Sequence, residues 1–347
     1  GHAAQLVAFH TLMESGCNIV AAKKLYGGSL NQMKESFQKF GWETRFVDAD
    51  DAANVAAAID EKTRCVFIES LANPGGVVSD IAAIADAAHA AGVPLIVDNT
   101  MATPALCRPF EHGADIVVHS TTKILNGHGN AVGGVIVDSG KFDWAAQGDK
   151  FPSLTQPNGS YHGAVLVDAL APIGPIAFII ACRVLGLRDL GPAMAPMNAF
   201  LALTGMETLS LRMERHCANA RQVASYLKDH AQVDWVRYPG LPGDPASDKN
   251  EKYLNGMGGP MVVFEIQGGE AAGKAFIEGL ELFSHLANVG DAKSLAIHPA
   301  TTTHSQLNPE QQAAAGITPG LVRLAVGIEH IDDIVEDLDR GLAAARA

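Results

Sequence analysis

The first 140 residues of the chain alternate between short apolar segments and longer alanine-rich segments. The apolar segments are rich in β-branched residues and lie at 18–21, 45–47, 65–69, 95–98, 116–119 and 135–137. Alanine-rich stretches such as 51–59 and 80–91 separate them. Strands that are apolar on both faces and alternate with helices are typical of a mostly parallel sheet covered by helices on both sides. The pattern therefore predicts an α/β fold.

The alternation is less regular in the last third of the chain. Residues 205–230 carry apolar side chains at helical spacing, which predicts one long amphipathic helix. After it the pattern predicts a loop rich in proline and glycine at 238–245, strands at 261–266 and 322–326, and helices at 270–279 and from 331 onward. We therefore predict two domains, a large one over residues 1–228 and a smaller α+β domain over residues 229–347.

Composition and charge exclude several classes of protein. Hydrophobic residues make up 48% of the 347 positions and charged residues 18%, which suits a large core and argues against disorder. The net charge of −13 argues against nucleic acid or an anionic membrane as a partner, because both require clustered Lys and Arg. The longest candidate membrane run, 169–182, is uncharged but contains two prolines and is shorter than the roughly 20 residues of a membrane span. We expect neither partner.

The cysteines and histidines give no pattern typical of a disulfide framework or a metal site. The five cysteines are scattered and form no C-x-x-C pair, which argues against a disulfide scaffold or a zinc knuckle and favours free thiols in a reducing cytoplasm. His298 and His304 flank a run of threonines without a nearby cysteine or carboxylate set. We predict a cytoplasmic protein without a metal site.

Ligand sites in open parallel sheets lie at the carboxyl ends of the strands, which directs attention to 69–73, 98–99 and 119–123. In the last segment the sequence STTK brings hydroxyl groups and the ammonium group of Lys123 into one tight turn. Hydroxyl and backbone donors suit a phosphate, and a desolvated lysine can form an imine with a carbonyl compound. Taken alone, the same four residues also occur in solvated loops.

Asp98 ends the predicted strand before this turn, with one predicted helix between it and Lys123. A carboxylate at that place can keep a pyridine nitrogen protonated, which makes the ring an electron sink, or it can simply cap the next segment. In a parallel sheet this spacing puts both residues on the same edge. The pair is more specific than either residue and indicates a site for pyridoxal 5′-phosphate (PLP).

Two segments near the N-terminus suit the same ligand. Tyr26 is followed by Gly27 and Gly28, which allow a close backbone approach, so that the aromatic ring can lie flat on a cofactor ring; the alternative is a turn with a packed tyrosine. A predicted helix opens at Gly1 and His2, and its free N–H groups suit a phosphate.

Together these segments resemble the Cys/Met-metabolism family of fold-type I PLP enzymes over essentially the whole chain. The matching stretches are LYGG at 25–28, ESLANP at 69–74, VDNT at 97–100, GADIVVHS at 113–120, TK at 122–123 and RLAVGIE at 323–329. The resemblance implies a fold-type I PLP transferase with a sheet of the seven-stranded type, assembled as a homo-oligomeric dimer of dimers.

The resemblance also implies roles for individual residues. Lys123, Tyr26 and Asp98 form the implied catalytic set: a Schiff-base lysine that moves protons, a ring that stacks on PLP, and a partner for the pyridine nitrogen. The other implied contacts are phosphate binding by Ser120, Thr122 and the backbone of Gly1 and His2, a contact of Asn73 with the cofactor hydroxyl and the substrate, placement of Ser294 in the substrate pocket, and binding of the substrate carboxylate by Arg323.

Two stretches, 151–163 and 288–304, resemble the O-acetylhomoserine sulfhydrylase branch of this family. They imply a γ-replacement of methionine biosynthesis, in which O-acetylhomoserine and sulfide give homocysteine and acetate. The implied small-molecule partners are an amino-acid ester and sulfide or a thiol. Cystathionine γ-synthase, O-succinylhomoserine sulfhydrylase and methionine or cystathionine γ-lyase stay open as alternatives on the same scaffold. The intact set of site residues argues against a non-catalytic subunit of this fold.

One departure from the family concerns the start of the chain, at Gly1 without a methionine. The family has an N-terminal arm whose Tyr and Arg reach the phosphate of a neighbouring subunit, and we expect that arm to be absent here.

Two glycine motifs suggest nucleotide binding but fail in detail. The segment 268–274 matches G-x-x-x-x-G-K, yet Ala275 stands where a P-loop needs Ser or Thr, so we predict a strand-to-helix turn. The spacing at 127–133 does not match G-x-G-x-x-G, which disfavours a dinucleotide-binding fold.

Overall fold

A computed structural model describes residues 1–72, 76–303, 305, 308–314 and 316–346. Its strands are β1 (Asn18–Ala22), β2 (Glu43–Val47), β3 (Thr63–Glu69), β4 (Leu71–Ala72), β5 (Val77–Val78), β6 (Leu95–Asp98), β7 (Ile116–His119), β8 (Val135–Asp138), β9 (Val233–Arg237), β10 (Met261–Ile266), β11 (Ser284–His285), β12 (Leu295–Ile297) and β13 (Leu321–Ala325).

The α-helices are α1 (His2–Leu12), α2 (Gly27–Asn31), α3 (Ala52–Ala58), α4 (Ile81–Ala90), α5 (Thr103–Leu106), α6 (Pro152–Thr155), α7 (Leu166–Leu170), α8 (Ala177–Ala181), α9 (Arg188–Leu190), α10 (Pro196–Met206), α11 (Leu209–Lys228), α12 (Ser247–Leu254), α13 (Gly269–Glu278), α14 (Pro309–Ala314) and α15 (Ile331–Ala344). Short 3₁₀ segments lie at Phe37–Phe40, Pro109–His112, Ala145–Lys150, Gly159–Tyr161 and Pro299–Thr301, and π-helical segments at Gln32–Ser36 and Cys182–Leu187.

The central sheet has the strand order β2-β1-β3-β6-β7-β8. All neighbouring pairs are parallel except β7 and β8, which are antiparallel. Every residue of β1 and β7 is buried, as expected for strands covered on both faces, whereas the edge strand β8 is partly exposed. The predicted α/β class with a mostly parallel sheet is confirmed.

The number of strands in this sheet differs from the expectation. The resemblance implied seven strands, and the described residues supply six. The apolar pattern itself contains six suitable runs before residue 140, one for each observed strand. The seventh strand came from the resemblance alone, and no further apolar run supports it.

A second, five-stranded sheet follows in the order β11-β12-β13-β10-β9. It is antiparallel except for the short pair of β11 and β12. Helix α11 packs into both cores: Met213 and Cys217 contact the core of the central sheet, and Val223 and Leu227 contact that of the second sheet. The boundary predicted between residues 228 and 229 falls at the end of this shared helix and stays a prediction.

Two other expectations concern single segments. The G-x-x-x-x-G-K segment starts in the turn between β10 and α13, where Gly268 has a positive φ of 97°, and continues into α13, so the predicted strand-to-helix turn is confirmed. Among the described residues, no helix combines the length and apolar character needed to cross a bilayer. The uncharged run 169–182 is split between α7 and α8, with both of its prolines in the connection.

Candidate active site

A cavity of about 2230 Å³ opens at the carboxyl ends of the central strands. Its lining includes most of the predicted site residues, namely Gly1, His2, Tyr26, Asp98, Ser120, Thr122, Lys123 and Arg323. Ser294 does not belong to the lining, and Asn73 lies outside the described residues. The fold thus brings residues separated by more than 300 positions into one concave site. Such a site is expected at the carboxyl ends of the strands of a parallel sheet.

Lys123 lies in the turn that follows β7. The backbone N–H of Lys123 donates to the carbonyl of Ser120 at 3.2 Å, and the ammonium group donates to Oδ1 of Asn288. Burial lowers the pKa of Lys123 from its usual value, and the positive charge of Arg323 lowers it further. A larger share of this lysine is therefore neutral and nucleophilic than of an exposed lysine at the same pH.

The turn after Lys123 is held by a buried arginine. Arg212, from α11, donates to the carbonyl of Ile124 at 2.8 Å, to that of Leu125 at 3.3 Å and to that of Gly205 at 2.7 Å. These three carbonyl groups satisfy the guanidinium in a place where unpaired donors would be costly. Arg212 therefore fixes the backbone on which Lys123 stands.

Asp98 ends β6, next to β7 in the sheet, and pairs in register with Val118. Its Oδ1 accepts from the backbone N–H of Thr100 at 2.9 Å and from the hydroxyl of Thr100 at 2.5 Å. Its Oδ2 accepts from the amide of Gln5 at 3.1 Å. Three donors thus orient the carboxylate at the cavity edge.

The buried side chain of His119 lies near Asp98. Burial lowers the pKa of this imidazole, and the charge of Asp98 opposes the shift. A neutral imidazole does not neutralise the negative charge of the neighbouring Asp98 carboxylate. That charge therefore stays available to a cationic group of a ligand.

Tyr26 presents its ring to the cavity with 45% of its surface exposed. The ring stacks on His2 with centroids 5.9 Å apart and planes 23° apart, and the Tyr26 backbone N–H donates to Glu69 Oε1 at 2.6 Å. A Cβ on Gly28 would come within 2.4 Å of the Tyr26 ring, so only glycine allows this approach. The arrangement offers a fixed aromatic face to a flat ligand.

Donors suitable for a phosphate converge at the start of α1. No side chain of the described residues caps this helix, and a Cβ on Gly1 would lie 2.9 Å from Cβ of Ser120. The hydroxyl of Thr122 accepts from the backbone N–H of Gly133 at 3.0 Å and donates to the carbonyl of the same residue at 3.2 Å, so it would have to exchange this acceptor for a phosphate oxygen. The N–H groups at the start of α1 and the neighbouring hydroxyl of Ser120 form a donor set that fits the phosphate of PLP.

Arg323 reaches the cavity from the middle of β13 in the second sheet and is 8% exposed. Its Nη2 donates to the backbone carbonyl of Asn288 at 3.2 Å. Burial lowers the pKa of Arg323 to about 10, so the group remains cationic at neutral pH. A buried cation in the lining of the cavity suits a carboxylate ligand.

Ser294 is fully buried, and its predicted place in the substrate pocket stays a prediction. Its hydroxyl donates to Glu329 Oε2 at 2.9 Å and accepts from the backbone N–H of Gly327 at 2.8 Å. These hydrogen bonds join two loops of the second sheet, and Ser294 does not line the cavity. A motif match alone does not reveal which way a serine points.

Asn288 and Gln5 line the cavity but are absent from the predicted site. Asn288 falls within a matching stretch, which was its only signal, and Gln5 follows the predicted phosphate segment. Both side chains are uncharged amides, and a single Asn or Gln in one sequence does not indicate a catalytic or binding role.

Comparison with known proteins agrees with this geometry. The family described as Cys/Met metabolism PLP-dependent enzyme matches residues 1–343. The chain is 50% identical to an O-acetyl-L-homoserine sulfhydrylase of Leptospira meyeri, covering 99% of this chain and 78% of the relative. It is 48% identical to O-acetyl-L-homoserine sulfhydrylase 1 of Thermus thermophilus, covering 99% and 81%.

A solved structure from Campylobacter jejuni subsp. jejuni, which contains N′-pyridoxyl-lysine-5′-monophosphate, superposes with a TM-score of 0.93. It is 37% identical, and the match covers 98% of this chain and 80% of that one. The resemblance found in the motifs is thereby confirmed over the whole length, and the chain belongs to the Cys/Met metabolism PLP-dependent enzyme family.

Proposed function

We propose that this protein is an O-acetylhomoserine sulfhydrylase that converts O-acetylhomoserine and sulfide into homocysteine and acetate. The observation that carries the proposal is the single cavity lined by Lys123, Asp98, Tyr26 and Arg323. The names of the two relatives, which share about half of their residues with this chain over nearly its full length, support the choice of substrate.

Different residues would hold the different parts of PLP. Asp98 suits the pyridine nitrogen, Tyr26 the ring face, and Ser120, Thr122 and the start of α1 the phosphate. By resemblance, Asn73 suits the cofactor hydroxyl. When bound, PLP withdraws electrons from the substrate and so acidifies its Cα.

The remaining chemistry falls to side chains of this protein. Arg323 binds the substrate carboxylate and so places Cα near Lys123. The neutral amine of Lys123 takes the Cα proton and would pass it to the conjugated system that PLP supplies, which makes the amine neutral again. The amine then takes a Cβ proton, after which acetate leaves from Cγ. Sulfide adds at Cγ, and Lys123 returns the protons to Cβ and Cα. Its lowered pKa suits a group that must both accept and donate protons near neutral pH.

A product assay with the purified, PLP-loaded protein tests the proposal. O-acetylhomoserine and sulfide are compared with O-succinylhomoserine, O-acetylserine and methionine, and α-ketobutyrate is measured without sulfide. We expect homocysteine to form fastest from O-acetylhomoserine. Faster α-ketobutyrate release without sulfide would identify a γ-lyase instead, and a preference for the succinyl ester would identify the other sulfhydrylase.

A substitution at Asn288 tests the electrostatics of Lys123. Asn288→Asp places a carboxylate where an amide oxygen now accepts from the ammonium group. The negative charge favours the ammonium form, so the pKa of Lys123 rises toward its usual value. Only the neutral amine attacks a carbonyl, and we therefore expect the apoenzyme to take up PLP more slowly at neutral pH, with the rate profile moved to higher pH.

Stopped-flow absorbance between about pH 6 and pH 10 measures this uptake. Asn288→Ala is the matched control, because it removes the same acceptor without adding a charge and should not move the profile upward. If the aspartate variant keeps the wild-type profile, Asn288 does not set the charge state of Lys123.

We also propose that the protein is a homo-oligomer, as the resemblance implies, arranged as a dimer of dimers. Support comes from an apolar face on α10, where Met197, Phe200 and Leu203 are each more than 60% exposed at helical spacing. Asn198 on the same helix lines the cavity and donates to the carbonyl of Val132 at 2.9 Å. A second copy on this face would therefore border the active site.

Light scattering tests the assembly. Phe200→Glu places a charge in the apolar face and should reduce the molar mass in solution, whereas Phe200→Leu keeps the face apolar and should not. Equal mass for both variants and the wild type would show that α10 lies outside the interface. We further propose a cytoplasmic location, which the five free, buried cysteines support.

A further inference from the structure

A buried glutamine connects two walls of the active site. Gln5, on the first turns of α1, is 3% exposed, and its side-chain nitrogen has two acceptors. It donates to Oδ2 of Asp98 at 3.1 Å and to the hydroxyl oxygen of Ser29 at 2.9 Å. An amide nitrogen has two hydrogens, so each acceptor receives one and no donor capacity remains.

The bond to Asp98 completes the set of donors to that carboxylate. Thr100 occupies Oδ1 with two hydrogen bonds, and Gln5 supplies the donor observed at Oδ2. Because Gln5 is neutral, it orients the carboxylate without cancelling its negative charge. A lysine or arginine in the same place would cancel that charge. A charged acceptor held by neutral donors stays available to a cationic ring nitrogen.

The bond to Ser29 ties the same amide to the aromatic wall. Ser29 is fully buried in α2, the short helix that begins directly after Tyr26. Gln5 thus fixes the segment that carries the Tyr26 ring relative to Asp98. A flat ligand must meet both groups at once, one on its face and one at its edge, so their relative position decides how well it fits.

We propose that Gln5 is a positioning residue that orients Asp98 toward the cofactor ring nitrogen and sets its distance from the Tyr26 wall. The proposal rests on the proposed PLP site. Hydrogen bonds to a charged group contribute about 1.5–3 kcal/mol, which corresponds to roughly 10- to 100-fold in an equilibrium or rate constant.

The test replaces Gln5 by a residue of similar length that cannot donate. We expect Gln5→Met to weaken PLP binding about 10-fold in an absorbance titration and to lower kcat by about 10-fold, while KM for the amino-acid ester changes less than about 2-fold. A shift in the visible absorption maximum of the bound cofactor should accompany these changes, because the charge at its ring nitrogen changes.

Thr11→Val is the matched control. Thr11 is on the same helix, is 1% exposed and uses its hydroxyl in a hydrogen bond to the carbonyl of Val7 at 2.9 Å, away from Asp98. Both variants should lower the melting temperature of the apoenzyme, since Gln5→Met loses two buried hydrogen bonds and Thr11→Val loses the one to Val7. Only the Gln5 variant should change PLP affinity and the spectrum.

Ser29→Ala provides a second, milder variant should Gln5→Met fold poorly. It removes the acceptor that orients the amide, and we expect a loss of PLP affinity of about 3-fold. In a double-mutant cycle, Ser29→Ala should add little to Gln5→Met, because both act through one hydrogen-bond chain.

Wild-type PLP affinity and kcat in Gln5→Met, or equal losses in Gln5→Met and Thr11→Val, would overturn the proposal. So would full additivity in the cycle. If the wild type binds PLP but makes no homocysteine, the sulfhydrylase function fails, and the titrations still decide the role of Gln5. If the wild type binds no PLP, both proposals fail.

Discussion

Replacement of Lys123 by alanine is expected to lower kcat for homocysteine formation by at least about 1,000-fold, because the same amine takes and returns every proton in the proposed reaction. The lysine is half-buried, follows the buried strand β7 and has its pKa lowered by burial and by Arg323. A water molecule cannot replace an amine held at that place. Steady-state kinetics with O-acetylhomoserine and sulfide measures the loss.

Lys150 supplies the matched control for this variant. Burial also lowers its pKa, and its ammonium group donates to the carbonyl of Ala91, but it does not line the cavity. Lys150→Ala should therefore keep kcat within about 3-fold of the wild type. Borohydride reduction and peptide mapping should find the pyridoxyl group on Lys123, and finding it on Lys150 or Lys141 would contradict the assignment.

The strands that build this site could be predicted because each is a short, continuous apolar run. The predicted runs 95–98, 116–119 and 261–266 coincide with β6, β7 and β10. The short strands β11 and β12, of two and three residues, were not predicted, since periodicity cannot show in so few positions. The edge strand β9 exposes most of its residues, and charged residues interrupt its apolar positions, so it was not predicted.

The predicted helix at 205–230 begins later than expected, at Leu209. Its first residues belong to the end of α10, where Gly205 packs so closely on Asn126 that a Cβ would lie 2.1 Å from the Asn126 carbonyl oxygen. This contact joins positions far apart in the sequence. Apolar spacing alone cannot separate two consecutive helices at such a point.

Some residues of the site could likewise be predicted from local sequence patterns, whereas others depend on contacts between distant parts of the chain. Asp98 and Lys123 could be placed together because both follow strands, and parallel strands end at one edge. The hydrogen bond from Lys123 to Asn288 spans 165 positions and joins the central sheet to the second one. No local pattern encodes that packing. The contacts of Asn288 and Gln5, and the hydrogen bonds of Ser294 to Gly327 and Glu329, could therefore be found only in the three-dimensional structure.

Asp98→Ala is expected to lower kcat by about 100-fold or more, while the stability of the apoenzyme falls much less than that loss of activity suggests. The substitution removes the only charged group proposed to pair with the ring nitrogen, and a hydrogen bond between charged groups contributes about 1.5–3 kcal/mol before any effect on the acidity of Cα. It also leaves Gln5 and Thr100 without their acceptor, which costs about 1–3 kcal/mol of folding free energy.

Asp115→Ala separates these two effects. Asp115 is 4% exposed, precedes β7 at the opposite edge of the sheet and accepts from the backbone N–H of Leu95 at 2.8 Å. Its loss should destabilise the fold as much as that of Asp98, yet leave kcat within about 3-fold of the wild type. Thermal unfolding and steady-state kinetics on both variants decide the matter: if Asp98→Ala binds PLP and turns over as fast as Asp115→Ala, the carboxylate of Asp98 does not serve the cofactor ring.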